Sequence, residues 1–188
     1  LRVDGLIIAG GQSSRMGQFK ASVNFLGQPL INHVFERLQT QVDNIFINSN
    51  RQIPSLNLKT KMIEDEISNY QGPLAGLQAG LRQINCQWLQ IAPCDTPFIP
   101  LDLTEKLIST AINTDNPIIV PSVNDRLHPT LGLMNQSILP LLDQFLETGQ
   151  RGFIQFIEHV GYLSTPFADE KSFININSHD DVKKYEKN

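Results

Sequence analysis

The order of apolar and amphipathic segments predicts an α/β protein: a single domain with a mostly parallel sheet and helices on both faces. Three observations carry that prediction. Short apolar runs alternate with segments whose apolar residues recur every three or four positions, the order that builds crossover-linked parallel strands. The first apolar run ends in a glycine pair with cations behind it, as a strand does when it opens onto an anion site. No Pro/Gly/Ser-rich tract and no internal repeat divides the 188 residues, so residues 1–188 read as one unit of ordinary domain size.

Residues 6–9, Leu-Ile-Ile-Ala, form the first strand, apolar at every position and so covered on both faces. Gly10 and Gly11 end it, because glycine permits backbone angles and close approaches that a Cβ forbids. Pro29 suits the first turn of a helix over 29–41, where Leu30, Val34, Phe35 and Leu38 recur at helical spacing. Residues 44–48, 61–64, 88–92 and 117–121 read as further strands, and 74–84 and 103–112 as helices. The last third is less regular: a strand at 129–134, helices at 138–146 and 152–158, and a final strand at 173–177. Ser178 then caps a helix over 180–187 whose acids come early and lysines late, as the helix dipole favours. Phe19, Phe25 and Phe35 read as core.

Composition narrows the function. Hydrophobic residues at 40% and charged residues at 18% describe an ordinary globular chain. A net charge of −4 argues against nucleic acid as partner, since phosphate backbones select basic surfaces. It leaves room for a small polyanion, because charge near Arg15 and Lys20 matters more than the total. No apolar run approaches membrane-spanning length, and no signal peptide stands before the first strand. Cys86 and Cys94 have no metal-ligand spacing and read as reduced thiols, which fits a cytoplasmic protein. His33, His159 and His179 share no metal spacing either.

The chemistry starts at the glycine turn. Walker A is excluded, since Gln18 follows Gly17 and Ala21 follows Lys20, and no G-x-G-x-x-G is present. What remains is G-G-x-S-x-R-M-G-x-x-K, with Arg15 and Lys20 as fixed charges behind backbone N–H groups that face a multiply charged anion. In open α/β sheets ligands gather at the carboxyl ends of the strands. Each such end here is polar: Asn48-Ser49-Asn50-Arg51, Glu64-Asp65-Glu66 and Pro93-Cys94-Asp95-Thr96-Pro97. Asp95, stiffened between two prolines, suits Mg²⁺, which takes one or two carboxylates beside phosphate oxygens. A plain turn-capping aspartate is the competing reading, and Asp65 reads equally well as part of a solvated acidic run. Gly72 and Pro73 open a helix whose first N–H groups face a ligand, while packing explains Gly76 as readily. His128 is a candidate acceptor contact, with a surface or structural histidine as the competing reading.

Residues 6–20, Ile47-Asn48-Ser49-Asn50-Arg51, Ile63-Glu64-Asp65, Gly72-Pro73-Leu74-Ala75-Gly76, Pro93-Cys94-Asp95-Thr96-Pro97, His128-Pro129-Thr130 and Phe173-Ile174-Asn175-Ile176-Asn177 together resemble the molybdenum cofactor guanylyltransferases. The glycine loop alone points to nucleotidyltransferases at large; the Pro-Cys-Asp-Thr-Pro and Asn-Ile-Asn pieces narrow it. The resemblance implies a Rossmann-like sheet of the nucleotide-diphospho-sugar transferase type. It also implies transfer of GMP from GTP to a molybdopterin phosphate, with release of pyrophosphate. On the same ground Ile8, Ala9 and Gly10 line the guanine end, Gly11 admits the phosphates and Lys20 binds them. Asn48 and Asp65 contact the nucleoside, Asp95 holds Mg²⁺, and Asn175 and Asn177 face molybdopterin. Arg15, Lys20 and Asp95 are then the catalytic set, with cofactor-delivery proteins and molybdoenzyme chaperones as partners. Relatives often carry an acid just before the lysine; Phe19 stands there instead. Two other readings stay open: a cytidylyl- or sugar-phosphate nucleotidyltransferase, which shares the loop, and a regulatory module that binds a nucleotide without chemistry. Asp95 and Lys20 speak against the module.

Overall fold

The computed structural model describes residues 1–10, 19–53, 60–65 and 72–186. Strands β1 (Val3–Ile8), β4 (Asn44–Asn48), β5 (Lys61–Ile63), β6 (Trp88–Pro93), β7 (Ile118–Val123), β9 (Leu133–Asn135) and β10 (Leu163–Pro166) form one sheet, in the order β10-β7-β9-β6-β1-β4-β5. Two short hairpin strands, β2 (Asn24–Phe25) and β3 (Gln28–Pro29), pair only with each other, and β8 (Arg126–Leu127) pairs with β7. The helices are α1 (Leu30–Leu38), α2 (Pro73–Gln83), α3 (Leu103–Ala111), α4 (Leu139–Glu147), α5 (Phe153–Val160) and α6 (His179–Glu186). None is long and apolar enough to cross a membrane among the described residues.

β1 lies inside the sheet between β6 and β4 and is buried at all six positions. Its side chains alternate: Val3 and Ile7 pack with α1 and α3 residues such as Val34, Leu38 and Leu107. Leu6 and Ile8 pack on the other face with Leu74, Leu77 and Phe156. That two-residue period is why an unbroken apolar run serves a strand covered on both sides. β1 runs parallel to β4 and to β6, and β4 parallel to β5. Ile8 lies opposite both Pro93 and Asn48, and Asn48 opposite Ile63, so four carboxyl ends finish level. The chain moves outward from β1 through β4 to β5, then returns to β6 on the other side of β1. The crevice between β1 and β6 is therefore the switch point where ligands of such sheets bind.

Three expectations need correction. Residues 129–134 split into a tight turn over Pro129–Leu131 and the short β9, which runs antiparallel to both β6 and β7 and makes the sheet mixed. Residues 173–177 are not a strand: a turn spans Glu170–Phe173, and 174–177 belong to no sheet among the described residues. The alternation there is real, with Ile176 buried between exposed Asn175 and Asn177, but the Ile176 N–H donates to Asp95 O at 2.8 Å rather than to a neighbouring strand. Of the three phenylalanines read as core, Phe25 is fully buried, while Phe19 and Phe35 only pack against the core's margin. The last helix does begin after Ser178, whose Oγ accepts from the Asp181 N–H at 3.1 Å.

Candidate active site at the carboxyl ends of the parallel strands

One side of the crevice is built from β1, β4 and β5. The Ala9 N–H donates to Asn48 O at 2.8 Å, which carries the pairing one residue past β1. Asn48 is 1% exposed, and its amide donates to Asp65 Oδ1 at 2.8 Å. Asn50 completes the clamp: its amide donates to Asp65 Oδ2 at 2.7 Å, and its Oδ1 accepts from the Asp65 N–H at 2.8 Å. Asp65 is thus a carboxylate held by two carboxamides, not one more acid of a solvated run. Gly10 lies above this group, where a Cβ would stand 3.4 Å from Asn48 Oδ1 and 3.9 Å from Asp65 Oδ2. The structure brings Ile8, Ala9, Gly10, Asn48 and Asp65 together; Gly11 and Arg15 lie outside the described residues.

The other side is the turn after β6. Cys94 N–H donates to Ile8 O at 3.1 Å, so this turn is tied to the end of β1. Asp95 is 9% exposed and pairs with the Lys20 ammonium, which also donates to Asn177 Oδ1. Fixed charges of opposite sign therefore meet at the switch point, beside the place where the glycine turn leaves β1. Burial pushes the Cys94 thiol far up, and the adjacent Asp95 charge adds to the shift. A protonated, enclosed thiol is no nucleophile. Among the described residues no three His, Cys, Asp or Glu side chains are grouped to hold a metal.

A cleft of about 590 Å³ adjoins this pair, lined among others by Leu127, His128, Thr130, Phe173, Asn175 and Asn177. The His128 and Phe173 rings lie 4.8 Å apart. Burial lowers the pKa of His128, and the Arg126 charge lowers it further, so its imidazole is neutral at pH 7. Two segments distant in the chain, around 127–131 and 173–177, so line one cavity, and Asn177 on its wall accepts from the Lys20 ammonium. Two participants had no role in the sequence reading, Thr96 and Asn50. A hydroxyl one position past a proline-bracketed aspartate was the available signal for the first. For the second it was a carboxamide two positions after another at a strand end.

Comparison with known proteins decides the kinship of this site. The sequence model of the MobA-like NTP transferase domain matches residues 5–161. The chain belongs to that family. Molybdenum cofactor guanylyltransferase of Aliivibrio salmonicida (strain LFI1238) is 37% identical over 182 residues, 96% of this chain and 93% of its own. The protein of the same name from Haemophilus influenzae (strain 86-028NP) is 36% identical over 187 residues, 98% and 97% of the two chains. Among solved structures, molybdopterin-guanine dinucleotide biosynthesis protein A from Archaeoglobus fulgidus superposes with a TM-score of 0.83 at 24% identity, covering 98% of this chain and 97% of that one. The last likeness concerns the fold. This MobA-like chain is a nucleotidyltransferase, and the mixed α/β sheet is the one its structural neighbours share.

Proposed function

We propose that this MobA-like transferase joins GMP from GTP to the phosphate of molybdopterin and releases pyrophosphate. The observation that carries the reading is the meeting of Lys20, Asp95 and Asn177, which brings a lysine ammonium, a carboxylate and an amide of the second cleft to one point. A two-substrate phosphoryl transfer needs that junction. The backbone of Ile8, Ala9 and Gly10, with Asn48 and Asp65, would hold the guanosine end. Lys20, with Gly11 and Arg15, would hold the phosphates. Asn175 and Asn177, with His128 in the same cleft, would face the pterin, whose ring offers donors and acceptors that carboxamides match.

A divalent cation fits Asp95. The donor is one hard oxygen ligand, fixed by its turn, and Mg²⁺ uses few protein carboxylates beside phosphate oxygens and water. When bound, it would neutralise charge on the transferring phosphates. The other groups act through position. The acceptor phosphate is already ionised near neutral pH and attacks the α-phosphorus directly, so no general base is required. With Cys94 protonated and enclosed, its thiol offers no covalent intermediate. Lys20 would exchange Asp95 and Asn177 for phosphate oxygens and stabilise the charge that builds on the leaving pyrophosphate. The same reading takes the cytoplasm as compartment, with delivery proteins and molybdoenzyme chaperones as partners.

Purified protein incubated with molybdopterin, Mg²⁺ and each of the four nucleoside triphosphates tests this. Dinucleotide product from GTP alone is expected. Preference for CTP would make it a cytidylyltransferase, and tight GTP binding without product a regulatory module. Asp95→Ala should keep the wild-type circular dichroism spectrum and lose about 10²-fold or more in turnover, the usual cost of removing a preorganised charge at a phosphoryl centre. Wild-type turnover in that variant at saturating Mg²⁺ would remove Asp95 from the mechanism.

A further inference from the structure

Thr96 is 0% exposed, yet its side chain is polar, and it follows directly the carboxylate on which the proposed reaction depends. Its hydroxyl lies 3.1 Å from Asn175 Oδ1 and 3.4 Å from Asp95 Oδ1. One hydroxyl has one proton to donate, and the shorter contact, to Asn175, takes it. The next residue, Ile176, donates its N–H to Asp95 O at 2.8 Å. The one after, Asn177, accepts from the Lys20 ammonium. Three consecutive residues are therefore fastened to three different groups at the Asp95 turn and Lys20.

That fastening replaces a sheet. Residues 174–177 alternate in burial but pair with no strand among the described residues, so no ladder fixes their register. A slip of one residue would turn Ile176 outward and both asparagines inward. The single backbone bond from Ile176 to Asp95 leaves the direction of the Asn175 carboxamide open, since that side chain is exposed. A buried hydroxyl on the Asp95 turn closes it.

We infer that Thr96 is a positioning residue: its hydroxyl sets segment 174–177, and with it the acceptor substrate, in register with Asp95. The kinetic part of this inference rests on the transfer reaction proposed above. Thr96 touches neither substrate in that scheme; it acts through Asn175. Valine has the same shape without the hydroxyl, and serine keeps the hydroxyl without the methyl, so the pair separates hydrogen bonding from packing.

The experiment compares Thr96→Val and Thr96→Ser with wild type by steady-state kinetics and by amide hydrogen exchange at Ile176. In Thr96→Val the molybdopterin KM should rise about 10-fold and Ile176 exchange should quicken about 10-fold, the ratio that loss of one hydrogen bond produces, with the GTP KM within about 2-fold of wild type. Thr96→Ser should restore both. An unchanged molybdopterin KM in Thr96→Val overturns the role. So does a serine variant as impaired as the valine one, or a parallel rise in both KM values. A wild type that transfers no nucleotide would overturn the reaction instead, and Ile176 exchange would still decide the register: an unchanged rate in Thr96→Val refutes it.

Discussion

Gly76 lies on the face of α2 that meets the nucleotide side of the crevice, and a methyl group there has nowhere to go. A Cβ would stand 2.9 Å from Asn48 Cγ, nearer still to its Oδ1, and 3.4 Å from Ile8 Cγ2. Asn48 cannot swing aside as a long surface side chain would, being 1% exposed and bonded to Asp65. Alanine gains up to about 1 kcal/mol over glycine in a helix, but overpacking of this kind costs about 1–3 kcal/mol. We expect Gly76→Ala to be slightly destabilised in urea and to bind GTP about 10-fold more weakly, as one lost polar contact would cause. A variant of wild-type stability and wild-type GTP affinity by calorimetry would show that Asn48 and Asp65 do not serve the nucleotide. The sequence could not rank these residues. Gly76 reads equally as packing, and Asp65 sits among acids. The carboxamides that immobilise Asp65 come from the last residue of β4 and the turn just after it, 17 and 15 positions earlier, a relation that only strand pairing creates.

Elements with a clean period were readable in advance: 44–48 became β4, and 74–84 became α2 within a residue at each end. Those that failed depend on partners far along the chain. The Pro129–Leu131 turn leads into β9, which lies between β6 and β7, and it leaves the Leu131 and Gly132 carbonyls just outside β9, where Gly132 O accepts from the Ile91 N–H of β6 at 3.0 Å. Gln90, 0% exposed on β6, meets them, donating to Leu131 O at 2.8 Å and Gly132 O at 3.1 Å. One buried glutamine thus extends the ladder past the end of β9, which no local pattern announces. The cap of α6 is the opposite case, since Ser178 and Asp181 stand at capping-box spacing. Asp181 Oδ2 also accepts from the Asn177 N–H at 2.9 Å, so the cap reaches the site. Burial pushes the Asp181 carboxyl up, but bonds from the Asn177 N–H and from Ser178 outweigh it and leave the pKa below the ordinary value. A carboxyl depressed in the folded state stabilises above its unfolded pKa, near 3.9, and loses that contribution as pH falls through the folded value. Asp181→Ala should therefore cost about 0.5–2 kcal/mol at pH 7. The gap from wild type, followed by urea unfolding, should hold to about pH 5 and close toward pH 3. A gap independent of pH would mean that the carboxylate is not the cap.

The molecule as a whole has two large apolar clusters, one on each face of the sheet, and a small third one of Val23, Phe25, Leu30 and Ile176, against which Phe98, Val182 and Tyr185 pack. The alternation of strands and helices announced the first two. The third joins the β2–β3 hairpin to the C-terminal segment across some 150 residues, and its members carry no shared period. Its size sets a prediction. Local opening free energies follow the apolar area a unit buries, so the C-terminal segment should open without the sheet. Ile176→Ala tests this, because deleting a fully buried isoleucine side chain to its Cβ costs about 2–5 kcal/mol. If the segment is a separate cooperative unit, exchange at Asn175, Ile176 and Val182 should quicken about 30-fold or more, as the lower end of that range requires. Leu6, Ile7 and Ile91 should keep their rates and the sheet its urea midpoint. GTP should still bind, since Asn48 and Asp65 lie on other elements, while transfer to molybdopterin falls with the displacement of Asn175 and Asn177. A midpoint lowered by the full cost, with Leu6 exchanging as fast as Ile176, would show instead that the chain unfolds as one body. The acceptor side would then have no freedom of its own.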